Sequence, residues 1–177
     1  MGQSDAAAAG HWQSSLSGRA DTILPVTKLR RYSSQDFDTL LEIDQKCFVP
    51  GIAYSEEELR GFLDQTPVIA LVGEDAGAIT GFIIADHFRS RRLGGRVGHI
   101  ITIDVLPEGR RSGLGTQLLS AAEEELKGAG CGHVWLEVAV DNAAALRFYK
   151  KHGYTILKTL PRYYLDSIDG LLMGKKL

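Results

Sequence analysis

The feature that most constrains the fold is a glycine-bearing loop that joins a predicted strand to a predicted helix. Residues 100–105 read IITIDV, a β-branched run typical of a buried strand. Residues 118–127 read LLSAAEEELK, an amphipathic helix that Gly128 and Gly130 bring to an end. Between them, residues 110–116 read RRSGLGT. Because a helix N-terminus offers unpaired backbone N–H groups and the positive end of the helix dipole, we predict a phosphate or pyrophosphate site at this loop.

The glycine spacing excludes two common kinds of phosphate loop. A nucleoside-triphosphate loop needs a lysine and then a serine or threonine after its last glycine, whereas Thr116 follows Gly115 directly. A dinucleotide fingerprint needs a third glycine where Leu118 stands. The remaining pattern is Arg-x-x-Gly-x-Gly. The motif alone leaves one alternative open, a loop that only connects the strand to the helix and binds no ligand.

The composition is that of a soluble globular domain. With 177 residues, 44% hydrophobic and 24% charged, the chain can bury one full core. The net charge of -2 gives no electrostatic reason to expect a nucleic-acid partner. Cys47 and Cys131 are too few for a disulfide framework and lack zinc spacing, so we expect a cytoplasmic protein without a metal. No apolar run approaches the length of about 20 residues that spans a bilayer, so no membrane partner is expected.

The first 22 residues differ from the rest of the chain. They contain an alanine run and many Gly, Ser and Gln residues, but no basic start and no long apolar core, so they do not resemble a signal peptide. Ala6 stands where a myristoylation pattern beginning at Gly2 requires Ser or Thr. We expect a disordered tail over residues 1–22 and a single domain over residues 23–177.

Strand and helix patterns fill the remainder of the chain. Ser34 can cap a first helix, and residues 55–58 form a capping box that opens a second. The arginine-rich stretch 89–96 is expected to be a solvated loop. Together the elements predict a three-layer α/β arrangement. The expected strands lie near residues 27–30, 68–72, 78–85, 134–140, 154–160 and 171–175, and a further helix is expected over residues 143–151.

Several separate segments between residues 29 and 177 resemble the GNAT family of acyl-CoA-dependent N-acetyltransferases. The resemblance implies the GNAT fold, with a mixed, mostly antiparallel central sheet flanked by helices. Within the family the chain is most similar to the N-terminal protein acetyltransferases, of the bacterial ribosomal-protein-alanine type and the eukaryotic catalytic subunits. The segments are CF at 47–48 with Pro50 and YS at 54–55, RRSGLG at 110–115, LEV at 136–138, NAAA at 142–145, FY at 148–149, GY at 153–154, RYY at 162–164, and DGLLM at 169–173, where Gly170 replaces the commoner alanine.

The resemblance implies acetyl-CoA as co-substrate, held largely by backbone groups. The central strand would pair with the amide groups of pantetheine as an added strand does. The N–H groups of the glycine loop would hold the pyrophosphate. The residues concerned are Ile103, Asp104 and Val105 in the strand, and Arg111, Ser112, Gly113, Leu114, Gly115 and Thr116 in the loop.

Three side chains are also expected at the cofactor. Arg110 or Arg111 would meet a phosphate through charge-assisted hydrogen bonds, and a solvated pair on a loop is the alternative. Asn142 would lie beside the pantetheine, and it can also serve as the N-cap of the following helix.

The resemblance also implies candidates for proton transfer. Tyr149 would be the general acid that protonates the leaving thiolate, and it would also contact the cofactor; simple aromatic packing is the alternative. Glu137 would be the general base, acting through a water molecule, although strand alternation also permits it to face solvent or pair with a basic neighbour. His99 is the second candidate for the base, because a histidine titrates in the working range; the alternative is a histidine without a role.

Phe48, Pro50, Tyr54, Tyr163 and Tyr164 would enclose the first residues of a protein or peptide substrate, unless they only close the core. An N-terminal α-amine has a pKa of about 7.7–8.0 against about 10.4 for lysine, so a weak base suffices for it. We therefore expect direct attack of an N-terminal α-amine in a ternary complex, by a monomer or weak dimer. The alternatives are acetylation of a lysine or a small-molecule amine, and a non-catalytic acyl-CoA-binding module.

Overall fold

A seven-stranded sheet forms the middle of the computed structural model, which describes residues 28–177. The expected tail over residues 1–22 lies outside the described residues. The strands are β1 Lys28–Arg31, β2 Val68–Asp75, β3 Ala78–Ser90, β4 Gly95–Val105, β5 Cys131–Ala139, β6 Thr155–Tyr164 and β7 Ile168–Lys176. The helices are α1 Phe37–Cys47, α2 Glu56–Leu63, α3 Leu114–Gly128 and α4 Ala143–Lys151.

The strand order is β1-β2-β3-β4-β5-β7-β6, and all neighbouring strands are antiparallel except β4 and β5. This confirms the predicted mixed, mostly antiparallel sheet in a three-layer α/β fold. The parallel pairing of β4 with β5 runs only from Arg96 to His99, after which the two strands diverge. At the same height Ile101 forms a bulge in β4, because Ile100 pairs with Ala85 while Thr102 pairs with the preceding Ile84. The centre of the sheet therefore contains a gap.

Two hydrophobic cores lie on opposite faces of the sheet. The core under α3 includes Leu118 and Leu126 together with Val134 and Leu136 of β5. The other core lies under α1 and α2 and includes Phe82 and Ile84 of β3. Because side chains alternate along a strand, β5 residues adjacent to those in the first core point towards the α1–α2 side. Glu137 is one of them.

The ends of several elements differ from the prediction. The basic stretch 89–96 is not a long loop, because the β3–β4 ladder continues to the pair Ser90 and Gly95 and leaves only residues 91–94 as the turn. The helix after the glycine loop begins earlier than predicted, at Leu114. Within residues 28–177, no helix has both the length and the apolar character needed to cross a membrane.

The two predicted helix caps have different outcomes. Ser34 does not cap α1, because residues Ser34–Asp36 form a 3-10 turn in which the Ser33 backbone N–H donates to the Asp36 carboxylate at 2.8 Å. The capping box at α2 is confirmed: the Ser55 hydroxyl accepts from the Glu58 backbone N–H at 3.2 Å, and the Glu58 carboxylate accepts from the Ser55 N–H at 2.8 Å. It fixes the end of the loop that leads from α1 to α2.

Candidate active site

The glycine loop leads directly into the N-terminus of α3. Gly113 precedes α3 with φ of 91°, a left-handed conformation that side chains rarely adopt. The next residue, Leu114, is fully buried in the core and anchors the helix start beneath Gly73 and Gly81. A Cβ at Gly115 would lie 3.5 Å from the Phe148 ring, an ordinary contact. The first N–H groups of α3 thus lie at a fixed, glycine-lined helix start.

The two central strands β4 and β5 separate beyond the last pair of their ladder. Beyond His99 the edge of β4 that faces β5 has no strand partner among residues 28–177, and this edge includes Ile103, Asp104 and Val105. Asn142 caps α4 through its side-chain oxygen, which accepts from the Ala145 N–H at 3.1 Å. The predicted backbone residues of the cofactor site therefore lie along one continuous surface.

Some of the polar side chains around this surface form hydrogen bonds within the chain. The Arg110 Nε–H donates to the Val105 carbonyl at 3.0 Å, so this side chain folds back on β4. Arg111 is exposed in the loop. Oγ1 of Thr116 lies 3.1 Å from Nε2 of His152. The sequence analysis missed His152, because no motif or spacing in the sequence identifies it.

A cavity of about 460 Å³ lies on the α1–α2 side of the gap. It brings together five predicted residues, namely His99, Glu137, Tyr54, Tyr163 and Tyr164. Phe48 and Pro50 do not line it, because the loop turns inward only after them. The residues that sequence analysis missed in this lining are Gly51, Ile52, Ala53, Glu58, Phe62, Ile101 and Leu165.

One wall of the cavity comes from the α1–α2 loop and the opposite wall from the β6–β7 hairpin. The two walls meet where Gly51 approaches Leu165, since a Cβ at Gly51 would lie 2.7 Å from the Leu165 side chain. The Tyr54 hydroxyl donates to the Ile101 carbonyl at 3.3 Å and so ties the first wall to β4. The cavity is a slot, closed at the end where the hairpin turns.

His99 and Glu137 lie on the floor of the slot and Asp86 lies next to His99, and we call these three ionisable side chains the polar row. Nε2 of His99 lies 2.7 Å from Oε2 of Glu137, and its Nδ1 lies 3.7 Å from Oδ1 of Asp86. Burial lowers the pKa of His99, but the hydrogen bond to Glu137 and the charges of both carboxylates outweigh it, so the pKa is raised above its ordinary value. Burial also raises the pKa of Asp86. The sequence analysis missed Asp86, which lies one residue past the predicted end of its strand.

Tyr149 of α4 is only 7% exposed. Burial raises the pKa of its phenol, and the charge of Asp104 raises it further. Because a raised pKa keeps a phenol protonated, Tyr149 is suited to donate a proton. The same effect of burial raises the pKa of Tyr54 and Tyr164.

A pair of buried carboxyl groups lies between the slot and the cofactor surface. Asp44 of α1 accepts from the Tyr54 backbone N–H at 2.7 Å, and Asp104 of β4 accepts from the Thr102 hydroxyl at 2.9 Å. Oδ1 of Asp44 and Oδ2 of Asp104 have no hydrogen-bond partner among the described residues. Burial raises the pKa of both groups, to about 6 for Asp44 and about 8 for Asp104, and the charge of Asp44 contributes to the rise at Asp104. Sequence analysis considered Asp104 for its backbone alone.

Comparisons with known proteins agree with this geometry. The acetyltransferase (GNAT) family model matches residues 37–154. An uncharacterized N-acetyltransferase of Methanocaldococcus jannaschii is 38% identical over 149 residues, which are 84% of this chain and 90% of that protein. An N-alpha-acetyltransferase of Sulfurisphaera tokodaii is 32% identical over 155 residues, 85% of this chain and 93% of that protein. The crystal structure of Ard1 from Thermoplasma volcanium superposes with a TM-score of 0.77 at 28% identity and covers 85% of this chain and 97% of that one. The chain belongs to the acetyltransferase (GNAT) family and is an acetyl-CoA-dependent N-acetyltransferase.

Proposed function

We propose that this chain acetylates the N-terminal α-amine of a protein, in a ternary complex with acetyl-CoA. The observation that carries the proposal is the slot whose floor holds His99 and Glu137 and whose walls are the α1–α2 loop and the β6–β7 hairpin. Its closed end at Gly51 and Leu165 suits a chain terminus better than the middle of a polypeptide. The names of the relatives, several of them N-alpha-acetyltransferases, support the same substrate.

The residues of the cofactor surface would hold acetyl-CoA by its two ends. The N–H groups from Arg111 to Thr116 would bind the pyrophosphate, and the free edge of β4 would orient the pantetheine arm. Bound acetyl-CoA supplies an acetyl group that is already activated as a thioester. What the protein adds is position: the slot floor faces the same gap from the opposite side of the sheet.

The pair of His99 and Glu137 would take the proton from the substrate amine. An α-ammonium group has a pKa of about 7.7–8.0, and the hydrogen bond to Glu137 with the charges of both carboxylates raises the pKa of His99, which makes it a stronger proton acceptor. A lysine ammonium, with a pKa of about 10.4, would transfer its proton far less readily. Tyr149, which stays protonated, would give its proton to the sulfur as the carbon–sulfur bond breaks.

A peptide assay read by mass spectrometry tests the function. Two peptides of one sequence are compared, one with a free N-terminus and acetylated lysine, the other with a blocked N-terminus and free lysine. We expect the free N-terminus to be acetylated far faster. We also expect Tyr164→Ala, which removes part of the slot wall, to raise the peptide KM more than the acetyl-CoA KM. Faster reaction at lysine would support a lysine acetyltransferase instead, and binding of acetyl-CoA without turnover of any amine would support a binding module.

The pH dependence of kcat/KM for peptide tests the proton acceptor. The acceptor must be unprotonated, so the raised pKa of His99 should place the acid limb of the wild-type profile above the ordinary histidine value of about 6.5. Glu137→Gln removes the carboxylate that raises this pKa. A limb that moves to lower pH with a preserved plateau would identify His99 as the base, whereas a plateau reduced by about 10² or more would identify Glu137.

A control histidine separates this effect from a general loss of stability. His133 is half-buried at the start of the same strand as Glu137, and His133→Ala should leave the pH profile unchanged. Unchanged profiles in both His99→Ala and Glu137→Gln would rule out the pair as the proton acceptor.

A further inference from the structure

Three apolar side chains, Phe88, Trp135 and Leu157, form a row beside the polar row on the same face of the sheet. Phe88 follows Asp86 by two residues in β3, and Trp135 precedes Glu137 by two residues in β5. Side chains two apart in a strand share a face, so the two rows are separated by about 7 Å. The Phe88 and Trp135 rings contact each other edge to face, with centroids 6.0 Å apart.

The apolar row continues across β7 onto the edge strand. Gly174 pairs with Trp135, and a Cβ at Gly174 would lie 2.7 Å from the Trp135 ring and 2.8 Å from Leu157 of β6. The glycine thus allows these two side chains to approach each other. We call Phe88, Trp135 and Leu157 the apolar row.

No other element of the described chain covers the apolar row. The core under α1 and α2 extends along the sheet to Ile84 and Ile101 and includes none of its three members. Phe88 is 45% exposed and Leu157 is 52% exposed, although both are large apolar side chains. Adjacent exposed apolar side chains of this size are typical of a binding surface.

The shape of the slot directs a bound chain towards the apolar row. Gly51 and Leu165 close the slot at the hairpin turn, and along β5 Trp135 lies on the other side of Glu137 from that turn, just outside the slot lining. An extended chain advances about 3.3 Å per residue, so about two residues span the step from the polar row to the apolar row. Beyond Phe88 the β3–β4 turn carries Arg91 and Arg92, which form no ion pair with any described residue.

We infer that the apolar row is an extended substrate subsite, which binds apolar side chains of the protein substrate from about its third residue onward, with acidic residues favoured further along towards Arg91 and Arg92. This inference rests on the proposed function, since the chain that occupies the row is the one whose N-terminus lies in the slot. It identifies the preferred substrates as proteins whose N-terminal segment is apolar and then acidic.

The test compares short and long peptides that share their first two residues. The short peptide has three residues, and the long one continues with three apolar and then three acidic residues. We expect the wild-type enzyme to have a lower KM for the long peptide. Trp135→Ala should raise that KM about tenfold and leave the short-peptide kcat/KM unchanged. Phe88→Ala should act in the same direction.

Ile156→Ala is the matched control, because Ile156 is 47% exposed on the same edge strand but pairs with Met173 of the opposite core. Equal loss in Ile156→Ala and Trp135→Ala, or a long-peptide KM that Trp135→Ala does not change, would overturn the inference. The inference would also be overturned if sedimentation showed a wild-type dimer and Trp135→Ala dissociated it, since the apolar row would then bind a second copy of the chain. Activity on the short peptide reports on the proposed function separately.

Discussion

The cofactor side and the substrate side of this enzyme are built in different ways. On the cofactor side, one continuous stretch from β4 to the start of α3 provides the strand edge, the glycine loop and the helix N-terminus. On the substrate side, the slot combines residues 51–54, 99–101, 137 and 163–165, which only the tertiary fold brings together. An invariant ligand can be held by backbone groups that a local sequence positions. A variable peptide is enclosed by side chains from distant segments.

Tyr149 is the proposed general acid, and its substitution should have the largest effect. Tyr149→Phe keeps the ring but removes the proton donor, so kcat should fall by about 10²–10⁴ while both KM values change little. Steady-state kinetics with saturating peptide and acetyl-CoA measure this. Tyr154→Phe is the matched control: this tyrosine is also buried, but its hydroxyl donates to Glu123 at 2.8 Å beneath α3. A similar fall of kcat in both variants would mean that the effect is structural.

Gly115→Val should affect the cofactor side and leave the substrate side unaffected. A valine side chain at the helix start would occupy the space through which a pyrophosphate approaches the backbone, so the acetyl-CoA KM should rise at least about tenfold. The peptide KM should stay near the wild-type value. Gly128→Val, at the other end of α3 where a Cβ meets no neighbour, should change neither KM. If calorimetry showed wild-type acetyl-CoA affinity in Gly115→Val, the loop would not be the pyrophosphate site.

The Asp44–Asp104 pair joins the two sides, and it should make stability depend on pH. Burial and the neighbouring charge of Asp44 raise the pKa of Asp104 to about 8. A carboxyl whose pKa is raised on folding stabilises the fold fully below its unfolded value of about 3.9, and this contribution is lost as pH rises through the folded value. Asp104→Asn should therefore gain about 3.5 kcal/mol in unfolding free energy relative to wild type between pH 5 and pH 8.

Denaturant unfolding at the two pH values measures this gain, and Asp36→Asn is a control of opposite sign. The hydrogen bond from Arg30 lowers the pKa of Asp36, so its stabilising contribution is present above its unfolded value and should be lost in the variant at both pH 5 and pH 8. If the pH dependence of Asp104→Asn matched that of wild type, the pKa of Asp104 would not be raised in the folded protein.

The sequence predicted the fold well because the fold depends on local patterns, and the residues of the cofactor side stay a prediction. Helix α4 has the predicted bounds, residues 143–151, and the capping box of α2 forms as expected. The lining of the slot was less predictable: Phe48 and Pro50 lie in the loop that forms one wall, but residues 51–53 of that loop line the cavity. Their position depends on a contact with Leu165, more than a hundred residues away in the chain.

The buried acids were missed for a related reason. Asp86 lies just beyond the predicted strand, and its meaning depends on His99, which the β3–β4 ladder places opposite it. Asp44 lies on the buried face of an amphipathic helix, where a single carboxyl only weakens the apolar pattern. Local patterns do not reveal that a second carboxyl from β4 meets it.

The gap between β4 and β5 has a consequence for the lifetime of the enzyme. Backbone groups along the inner edge of β4 lack the strand partner that a continuous sheet would supply. A ligand that fills the gap binds the folded chain and not the unfolded one, so it shifts the folding equilibrium by about 2.7 kcal/mol at a hundredfold excess over its Kd. With acetyl-CoA bound there as proposed, the folded population, and with it resistance to proteolysis and heat, would rise with the concentration of acetyl-CoA. A change in acetyl-CoA supply would then alter the amount of enzyme as well as its rate.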